Sequence, residues 1–303
     1  MRRRTPAKVN LFLEVGGLRS DGYHDIVSLI DPVGLFDLID FSPARNWKVT
    51  FLPQTGIDSR DNTVTRVLSL LQQHLAGFPP MKITVKKGIP LGAGLGGGSS
   101  DAACVLRVLN KLLGINFSRT RLLRLAERVG ADVPAFIGGE RCLVWGKGEK
   151  IKAIPARCKL WYVILLPARP VSTASVYAWY DRLKHQGDLT EARRKIRILI
   201  KKLDEGDVAG ARRCLFNRLQ EASEKEYPEI RKMRGYLEEK FGQKFLVSGS
   251  GGAIFSIFPD ETAAQECAAS FVRPGWQVKV VPGLNNFVDR RGYGDYRDKS
   301  VAG

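Results

Sequence analysis

The stretch PLGAGLGGGSS, from Pro90 to Ser100, decides the fold class of this chain. Five of its eleven residues are glycine; a strand pattern, MKITVKK, precedes it, and a helix pattern, SSDAACVLRVLNKLLG, overlaps its end. Glycine loses more backbone freedom on folding than any other residue, so this concentration needs a reason. A helix start leaves backbone N–H groups unpaired and carries partial positive charge, and glycines let an anion approach these groups. The stretch therefore predicts a phosphate site, with Ser99 and Ser100 as helix caps or hydroxyl donors.

Other glycine-rich phosphate loops fit the stretch less well. A Walker loop needs a Gly-Lys-Ser/Thr end, which is missing here. The pattern GxGxxG matches at Gly92, Gly94 and Gly97, but no acidic residue stands about 20 positions later, where a dinucleotide fold requires one. The protein-kinase signatures HRD and DFG are also absent from the sequence. A glycine-rich turn without a ligand remains the alternative.

Size and composition indicate an ordinary globular protein. The chain has 303 residues, of which 44% are hydrophobic and 26% charged, enough for two domains. No apolar run approaches the roughly 18 residues that a bilayer span needs. The five cysteines are far apart and form no CxxC pair, so they predict neither a zinc site nor a disulfide framework. We expect a cytoplasmic protein without a membrane partner.

The net charge of +17 is unusual, and its densest block is EARRKIRILIKK, Glu191–Lys202. Ile196, Leu199, Ile200 and Leu203 follow helical spacing, which leaves the cationic side chains on the opposite face. We interpret this block as a solvated helix face. A nucleic-acid-binding surface is an alternative, and so is a positive field that attracts small anionic substrates.

The order of predicted elements differs between the two halves of the chain. In the first half, the strands AKVNLFLEV, DLIDFSP, WKVTFLP and MKITVKK are mixed with helices over residues 62–75, 99–114 and 118–130. The second half has a strand over residues 160–166 and several helices, the last over Glu224–Phe241. Strands KFLVS and AIFSIF, a helix from Asp260 and strand WQVKVV then complete a ferredoxin-like β-α-β-β-α-β order.

This order predicts an α+β fold in two domains, with the functional site in the cleft between them. The N-terminal domain comprises residues 1–157 and carries the phosphate loop. The ferredoxin-like C-terminal domain comprises residues 158–284, and a loose polar tail follows over residues 285–303.

Three motifs in this order resemble those of the GHMP kinases. PAKVNLFL (Pro6–Leu13) is similar to the first motif of that superfamily, PLGAGLGGGSSDAA to its phosphate loop, and VSGSGGAIFSIF (Val247–Phe258) to its third motif. The stretches KVNLFLEVGGLRSDGYHDIVSL and GADVPAFIGG further resemble the branch that phosphorylates the 2-hydroxyl of a CDP-linked methylerythritol in the non-mevalonate isoprenoid pathway. The resemblance covers about residues 5 to 282 and implies a two-domain GHMP kinase fold that uses ATP and Mg²⁺.

The resemblance implies a catalytic pair, Lys8 and Asp132. Lys8 and Asn10 share the polar face of a strand, and without the rest of the motif they would be interpreted as an edge pair facing solvent. Asp132 precedes Val133 and Pro134, which by spacing alone predicts a helix N-cap. By resemblance, Asp132 accepts the hydroxyl proton, Lys8 stabilises the transferring phosphoryl group, and Asn10 binds substrate.

The resemblance also implies the ligand-binding residues. The nucleotide would contact Pro90, Leu91, Gly92, Ala93, Gly94, Leu95, Gly96, Gly97, Gly98, Ser99 and Ser100, together with Asn62 and Lys87. Asn62 could instead cap a helix, and Lys86 could take the place of Lys87. The CDP-linked substrate would contact Tyr23, His24, Tyr177, Ser248, Gly249, Ser250 and Gly251. Cytosine would stack on Tyr23, although packing at a domain edge would also explain the three aromatic residues.

We therefore expect an ATP-dependent small-molecule kinase, a monomer or weak homodimer that binds no nucleic acid. No residue is predicted to ligate a metal. A homoserine or mevalonate-type kinase is the nearest alternative, and DGYH and the Lys8–Asn10 pair argue against it. The sequence NRLQ (Asn217–Gln220) departs from the family pattern, which tends to carry an acidic residue there.

Overall fold

A computed structural model describes residues 1–53, 56–58, 60–184, 186–271 and 273–284. The tail predicted over residues 285–303 lies outside this range. The strands are β1 (Arg2–Leu18), β2 (His24–Pro43), β3 (Lys48–Leu52), β4 (Met81–Lys86), β5 (Cys142–Gly146), β6 (Lys150–Ala153), β7 (Trp161–Pro167), β8 (Phe216–Asn217), β9 (Leu246–Val247), β10 (Ile254–Phe258) and β11 (Trp276–Pro282). The helices are α1 (Thr63–Leu75), α2 (Gly97–Leu112), α3 (Arg119–Val129), α4 (Val133–Gly138), α5 (Thr173–Arg182), α6 (Leu189–Asp204), α7 (Val208–Cys214), α8 (Gln220–Glu226), α9 (Pro228–Phe241) and α10 (Glu261–Ala269).

The first sheet has seven strands, of which five run in the order β3-β4-β2-β1-β8. β5 pairs with the first part of β2 and with β6. Strands β1 and β2 are antiparallel, whereas β3 and β4 are parallel. Helices α1 to α4 pack on this sheet and share one hydrophobic core with it. The apolar residues of each longer helix recur at helical spacing and form its buried face, which includes Val67 in α1, Leu106 in α2 and Leu122 in α3.

The second sheet has four antiparallel strands in the order β11-β7-β10-β9. This is the ferredoxin-like arrangement that the second half of the sequence predicts. Helices α5, α8, α9 and α10 contribute to the core on this sheet. The described helices include none that is long and apolar enough to cross a lipid bilayer.

The two sheets are joined by buried contacts. The guanidinium of Arg141 donates from Nε and Nη2 to the two carboxylate oxygens of Asp31, each at 2.9 Å. The hydroxyl of Tyr162 in β7 donates to the same carboxylate. Strand β8, from the second half of the sequence, pairs with β1 in the first sheet. The division into domains 1–157 and 158–284 remains a prediction.

The polar face of β1 lies inside the molecule. Lys8, Asn10 and Glu14 are each 4% exposed, as buried as the apolar residues between them. Both faces of β1 are therefore covered by the rest of the molecule, and the interpretation of Lys8 and Asn10 as a solvent-facing edge pair is wrong.

Several boundaries differ from the predictions. The helix predicted over Glu224–Phe241 is two helices, because Pro228 has no N–H to continue the first and begins the second. The strand predicted as KFLVS is reduced to Leu246–Val247. Strands β5, β6 and the first part of β2 were not predicted from the sequence, and they pair with one another or with β1.

Candidate active site

The phosphate loop has the backbone conformation that its glycines permit. Gly92, Gly94 and Gly96 have φ values of +64°, +75° and +70°, a left-handed region that other residues enter only with strain. Helix α2 begins at Gly97, so the N–H groups of its first turn have no partner one turn earlier in the helix. The alternating glycines thus turn the chain into a helix start that suits an anion.

Neither serine of the loop caps the helix, contrary to one of the two roles that the sequence suggests. The N-cap residue is Gly96, which has no side chain to form a cap hydrogen bond, and α2 starts two residues before Ser99. Ser99 lines the cavity described below, whereas Ser100 is fully buried. The Ser100 hydroxyl has no hydrogen-bond partner among the described residues.

The third motif packs against the back of the phosphate loop. A Cβ atom on Gly251 would lie 1.9 Å from the amide nitrogen of Gly94, so only glycine fits there. A Cβ atom on Gly94 would lie 2.0 Å from the carbonyl oxygen of Ser248. The Ser248 hydroxyl donates to the Gly94 carbonyl at 3.2 Å. Ser248 and Gly251 therefore contact the phosphate loop, and the glycines allow two backbones to meet.

Two other residues of the third motif face the site. Ser250 lines the cavity and is within 3.0 Å of the Thr173 hydroxyl. A Cβ atom on Gly249 would lie 3.0 Å from Oδ1 of Asn10. The side-chain nitrogen of Asn217 donates to the Gly249 carbonyl at 2.8 Å and so supports this segment.

Lys8 and Asn10 form a hydrogen-bonded pair directed at Asp132. Nζ of Lys8 donates to Oδ1 of Asn10 at 2.6 Å, and Nδ2 of Asn10 donates to the Ser28 hydroxyl at 2.9 Å. The backbone N–H of Lys8 donates to the carbonyl of Leu95 at 2.9 Å, which ties β1 to the phosphate loop. Nζ of Lys8 lies 3.7 Å from Oδ2 of Asp132.

Asp132 occupies the N-cap position of α4 but does not act as a cap. Its backbone is helical, with φ −86° and ψ −13°, and its side chain forms no cap hydrogen bond. The carboxylate is 42% exposed and lines the cavity. The cap interpretation of Asp132 is therefore wrong, and its carboxylate is available to a ligand.

A cavity of about 600 Å³ lies beside Asp132. Its lining residues are Leu18, Gly22, Tyr23, His24, Ile26, Ser99, Ala131, Asp132, Lys147, Thr173, Ala174, Tyr177, Ala178, Asp181 and Ser250. The cavity brings together the start of α2, Asp132, the DGYH segment and α5. These elements come from both halves of the sequence.

Aromatic rings and their polar partners line the cavity at the DGYH segment. Tyr23 is 51% exposed, and Nζ of Lys147 lies 5.3 Å from the centre of its ring. The rings of His24 and Tyr177 stack with centroids 5.2 Å apart and planes inclined by 28°. Nε2 of His24 lies 2.8 Å from Oδ1 of Asp181. Burial raises the pKa of Tyr177 well above its usual range, so its hydroxyl stays protonated.

Lys147 and Asp181 were not identified from the sequence. Each lies far along the chain from DGYH; Lys147 stands between Gly146 and Gly148, and Asp181 follows the aromatic run Tyr177–Tyr180, but neither surrounding matches a motif used above. The sequence contains no local signal for them, because only the fold brings them to the cavity.

Two residues predicted to bind the nucleotide have other contacts. The side chain of Asn62 caps α1, accepting from the N–H groups of Val64 and Thr65 at 2.9 and 3.0 Å. The next residue, Thr63, donates to the Gly98 carbonyl at 2.8 Å, so the start of α1 touches the loop. Lys87 is buried behind the loop, where Nζ bonds to Asp37 and Asp101.

The described residues contain no group of three or more His, Cys, Asp or Glu side chains placed to hold a metal ion. A Mg²⁺ ion that binds mainly through nucleotide phosphates needs only one or two oxygen ligands from the protein. Two side chains offer such an oxygen. The hydroxyl of Ser100, near the start of α2, has no partner among the described residues, and the carboxylate of Asp132 lines the cavity. The residues present are therefore compatible with a metal that arrives with the nucleotide.

Comparisons with known proteins agree with this geometry. A family model for the GHMP kinases N terminal domain matches residues 62–140, and one for the GHMP kinases C terminal matches residues 199–275. The fold and the glycine-loop site thus define a small-molecule kinase of the GHMP type, which takes its phosphoryl group from ATP.

Individual relatives narrow the family. The 4-diphosphocytidyl-2-C-methyl-D-erythritol kinase of Nitrosomonas eutropha is 36% identical over 283 residues, covering 89% of this chain and 95% of that protein. That of Pelotomaculum thermopropionicum is 33% identical, covering 92% and 96%. A crystal structure of 4-(cytidine 5'-diphospho)-2C-methyl-D-erythritol kinase has a TM-score of 0.76 at 31% identity, covering 94% of this chain and 100% of that one. The chain belongs to the 4-diphosphocytidyl-2-C-methyl-D-erythritol kinase family.

Other GHMP kinases share the fold alone. Homoserine kinase from Cytophaga hutchinsonii has a TM-score of 0.70 at 20% identity, covering 94% of this chain and 95% of that one. The GHMP resemblance and the α+β fold predicted from the sequence are confirmed.

Proposed function

We propose that this protein transfers the γ-phosphoryl group of ATP to the 2-hydroxyl of 4-diphosphocytidyl-2-C-methyl-D-erythritol, in the non-mevalonate isoprenoid pathway. The observation that carries this proposal is the Lys8–Asp132 pair, 3.7 Å apart, between the phosphate loop and the aromatic cavity. The kinases of Pelotomaculum thermopropionicum, Symbiobacterium thermophilum and Syntrophus aciditrophicus, which match more than nine-tenths of the chain, carry this substrate in their names.

The aromatic part of the cavity suits the cytidine of the substrate. The exposed ring of Tyr23 offers a stacking surface, worth about 1–3 kcal/mol per base in other proteins. The contact between Nε2 of His24 and Asp181 leaves Nδ1 of the imidazole to face a polar edge of the base. The ammonium of Lys147 lies near Tyr23 and pairs with Glu127 and Asp21 at 3.4 and 3.8 Å, so a diphosphate would have to compete with these carboxylates for it.

The chemistry needs positioning, charge stabilisation and one proton acceptor. Asp132 accepts the proton of the attacking hydroxyl, since its carboxylate lines the cavity and forms no cap. The ammonium of Lys8, held by Asn10, stabilises negative charge on the transferring oxygens. The first-turn N–H groups of α2 bind the ATP phosphates.

Mg²⁺ is the divalent ion we propose to accompany ATP. When bound, it neutralises charge on the phosphate oxygens and polarises the phosphoryl group. The Ser100 hydroxyl, buried without a partner, is the side-chain oxygen of the loop that we propose as a contact for the bound nucleotide and its ion.

We also propose a cytoplasmic protein that acts as a monomer or weak homodimer and binds no nucleic acid. The exposed cations of α6 support the absence of nucleic-acid binding, because two of them, Arg194 and Lys195, pair with Glu191 on the same helix and so belong to a solvated face.

An assay of ATP consumption with a panel of acceptors tests the proposed function. We expect turnover with 4-diphosphocytidyl-2-C-methyl-D-erythritol and little with methylerythritol phosphate, homoserine or mevalonate. The reason is that binding energy from the cytidine positions the reacting hydroxyl. Equal rates with CDP-linked and unlinked alcohols would contradict the assignment of the cavity to cytidine.

A further inference from the structure

Three charged side chains form a buried cluster directly behind the phosphate loop. Nζ of Lys87 donates to Oδ2 of Asp37 and, at 3.0 Å, to Oδ2 of Asp101. The Lys87 side chain is 5% exposed, and those of Asp37 and Asp101 are at most 1% exposed. A cluster this deeply buried cannot exchange its partners for water, so each member depends on the others.

The cluster holds the chain on the entry side of the loop. The other carboxylate oxygen of Asp37, Oδ1, accepts from the N–H groups of Gly88 and Ile89 at 2.6 and 2.8 Å. These two residues immediately precede the loop, which begins at Pro90. Asp37 thereby fixes the backbone from which the loop departs.

The cluster also holds the exit side. Asp101 lies in the second turn of α2, and its Oδ1 accepts from the Thr5 hydroxyl of β1 at 2.7 Å. A Cβ atom on Gly97, the first residue of α2, would lie 3.1 Å from Nζ of Lys87 and 3.2 Å from Oδ2 of Asp37. The cluster therefore touches the start of the helix from behind.

We propose that Lys87, Asp37 and Asp101 are positioning residues for ATP, which fix both ends of the phosphate loop without touching the nucleotide. This inference rests on the proposed function only in that the loop binds ATP. It replaces the prediction that Lys87 contacts the nucleotide, since its ammonium is directed into the cluster. The N–H groups of the loop act as an anion site only while their directions are fixed.

The electrostatics agree with a permanently engaged lysine. Burial alone would lower the pKa of Lys87, but the charges of Asp101 and Asp37 outweigh it and raise that pKa. Burial raises the pKa of Asp101 to about 7, and the charge of Lys87 opposes this rise. Lys87 thus stays charged, and above pH 7 Asp101 is an anion beside it.

Direct binding of ligands to variants distinguishes positioning from contact. We would measure the Kd of a non-hydrolysable ATP analogue with Mg²⁺, and separately of the CDP-linked substrate, by calorimetry at pH 8. Lys87→Met and Asp101→Asn should each raise the Kd of the analogue by about tenfold or more. The Kd of the double variant should be no higher than that of the single variant with the higher Kd. Substrate affinity should be unchanged, and Lys86→Met, which removes an exposed lysine paired with Asp40, should leave both affinities at the parental values.

Two outcomes would overturn the proposal. If Lys87→Met weakens the analogue while Asp101→Asn leaves it unchanged or tightens it, Lys87 touches the nucleotide. If both ligands are weakened equally, the cluster has a general structural role. A parental protein that binds no ATP analogue would instead contradict the proposed function, so the two failures are separable.

If the variants fail to fold, the proposal can still be tested on the parental protein. Lysine acetylation with a water-soluble reagent, followed by peptide mass spectrometry, should leave Lys87 unreactive with and without ATP, and Lys86 reactive in both. A Lys87 amine that reacts freely and is protected by ATP would contradict the proposal.

Discussion

Nζ of Lys8 lies 3.7 Å from Oδ2 of Asp132, the lysine side chain 5% exposed and the aspartate side chain 42% exposed. The two residues come from β1 and from the start of α4, with the phosphate loop between them in the sequence. Because the carboxylate of Asp132 is accessible, a hydroxyl of a ligand can reach it, while the ammonium of Lys8 stays buried beside it. This relationship connects the fold to the proposed transfer.

The contact between His24 and Asp181 should affect substrate binding. Asp181→Leu removes the partner of Nε2, so the imidazole is no longer held in its orientation. We expect KM for the CDP-linked substrate to rise by about tenfold, the order expected from one charged hydrogen bond, with KM for ATP unchanged. Steady-state kinetics check this, with Asp25→Asn as control, because Asp25 pairs with Arg19 instead. An unchanged KM in Asp181→Leu would remove His24 from substrate recognition.

One added methyl group should disrupt the contact between the phosphate loop and the third motif, where Gly251 meets Gly94. In Gly251→Ala the new Cβ would lie 1.9 Å from the nitrogen of Gly94, so one of the two backbones must move. We expect a large loss of stability in chemical denaturation and loss of ATP binding. The control is Gly235→Ala in α9, where a Cβ meets nothing within 4 Å. Alanine should stabilise that helix by about 0.5–1 kcal/mol. Parental stability in Gly251→Ala would show that the loops are not in contact.

Asp101 should make stability depend on pH. Burial raises its pKa from 3.8 to about 7 in the folded protein. Between about pH 4 and pH 7 the folded protein therefore holds a proton that the unfolded chain has released. This contribution to the free energy of unfolding is complete below pH 4 and is lost as pH rises through 7. Asp101→Asn has no such group, so the parent-minus-variant difference should fall across this range in urea titrations. A difference independent of pH would contradict the raised pKa.

The basic face of α6 should be dispensable. Arg194 pairs with Glu191 at 2.8 Å on the surface, and exposed pairs of this kind contribute little to stability. We expect the triple variant Arg193→Gln, Arg194→Gln, Lys195→Gln to keep parental turnover. Binding to RNA and DNA at low and high salt should be weak in the parent and variant alike. Tight, salt-sensitive binding that the variant loses would support the nucleic-acid alternative.

The loop and the elements beside it could be predicted because their signals are local. Alternating glycines, a preceding strand and a following amphipathic stripe lie within about thirty residues, and the structure has β4, the loop and α2 in that order. The apolar spacing of Ile196, Leu199 and Leu203 likewise gives the buried face of α6. Such patterns depend on chain geometry rather than on distant neighbours.

The rest depended on partners that are remote in the sequence. Lys86 and Lys87 are adjacent. The alternation of the strand puts Lys87 on the same face as the buried Ile83 and Val85, but the neighbouring sequence does not tell which side chains would neutralise a cation there. Asp37 and Asp101 do this, and they lie 50 and 14 residues from Lys87. Asp132 is similar: its spacing predicts a cap, and only the position of β1 gives its carboxylate another neighbour. The site residues that the resemblance implies remain predictions until they are tested by substitution.

The most direct test of the proposed mechanism is the turnover number of Asp132→Asn. Asp132 forms no cap hydrogen bond, so the amide should leave the melting temperature at the parental value, while it cannot accept a proton at neutral pH. We expect kcat to fall by about 10²–10⁴, the usual contribution of a positioned acid–base group. Asp260→Asn, at a true cap of α10, should keep parental kcat. A folded Asp132→Asn protein with near-parental kcat would contradict the role of Asp132 as proton acceptor.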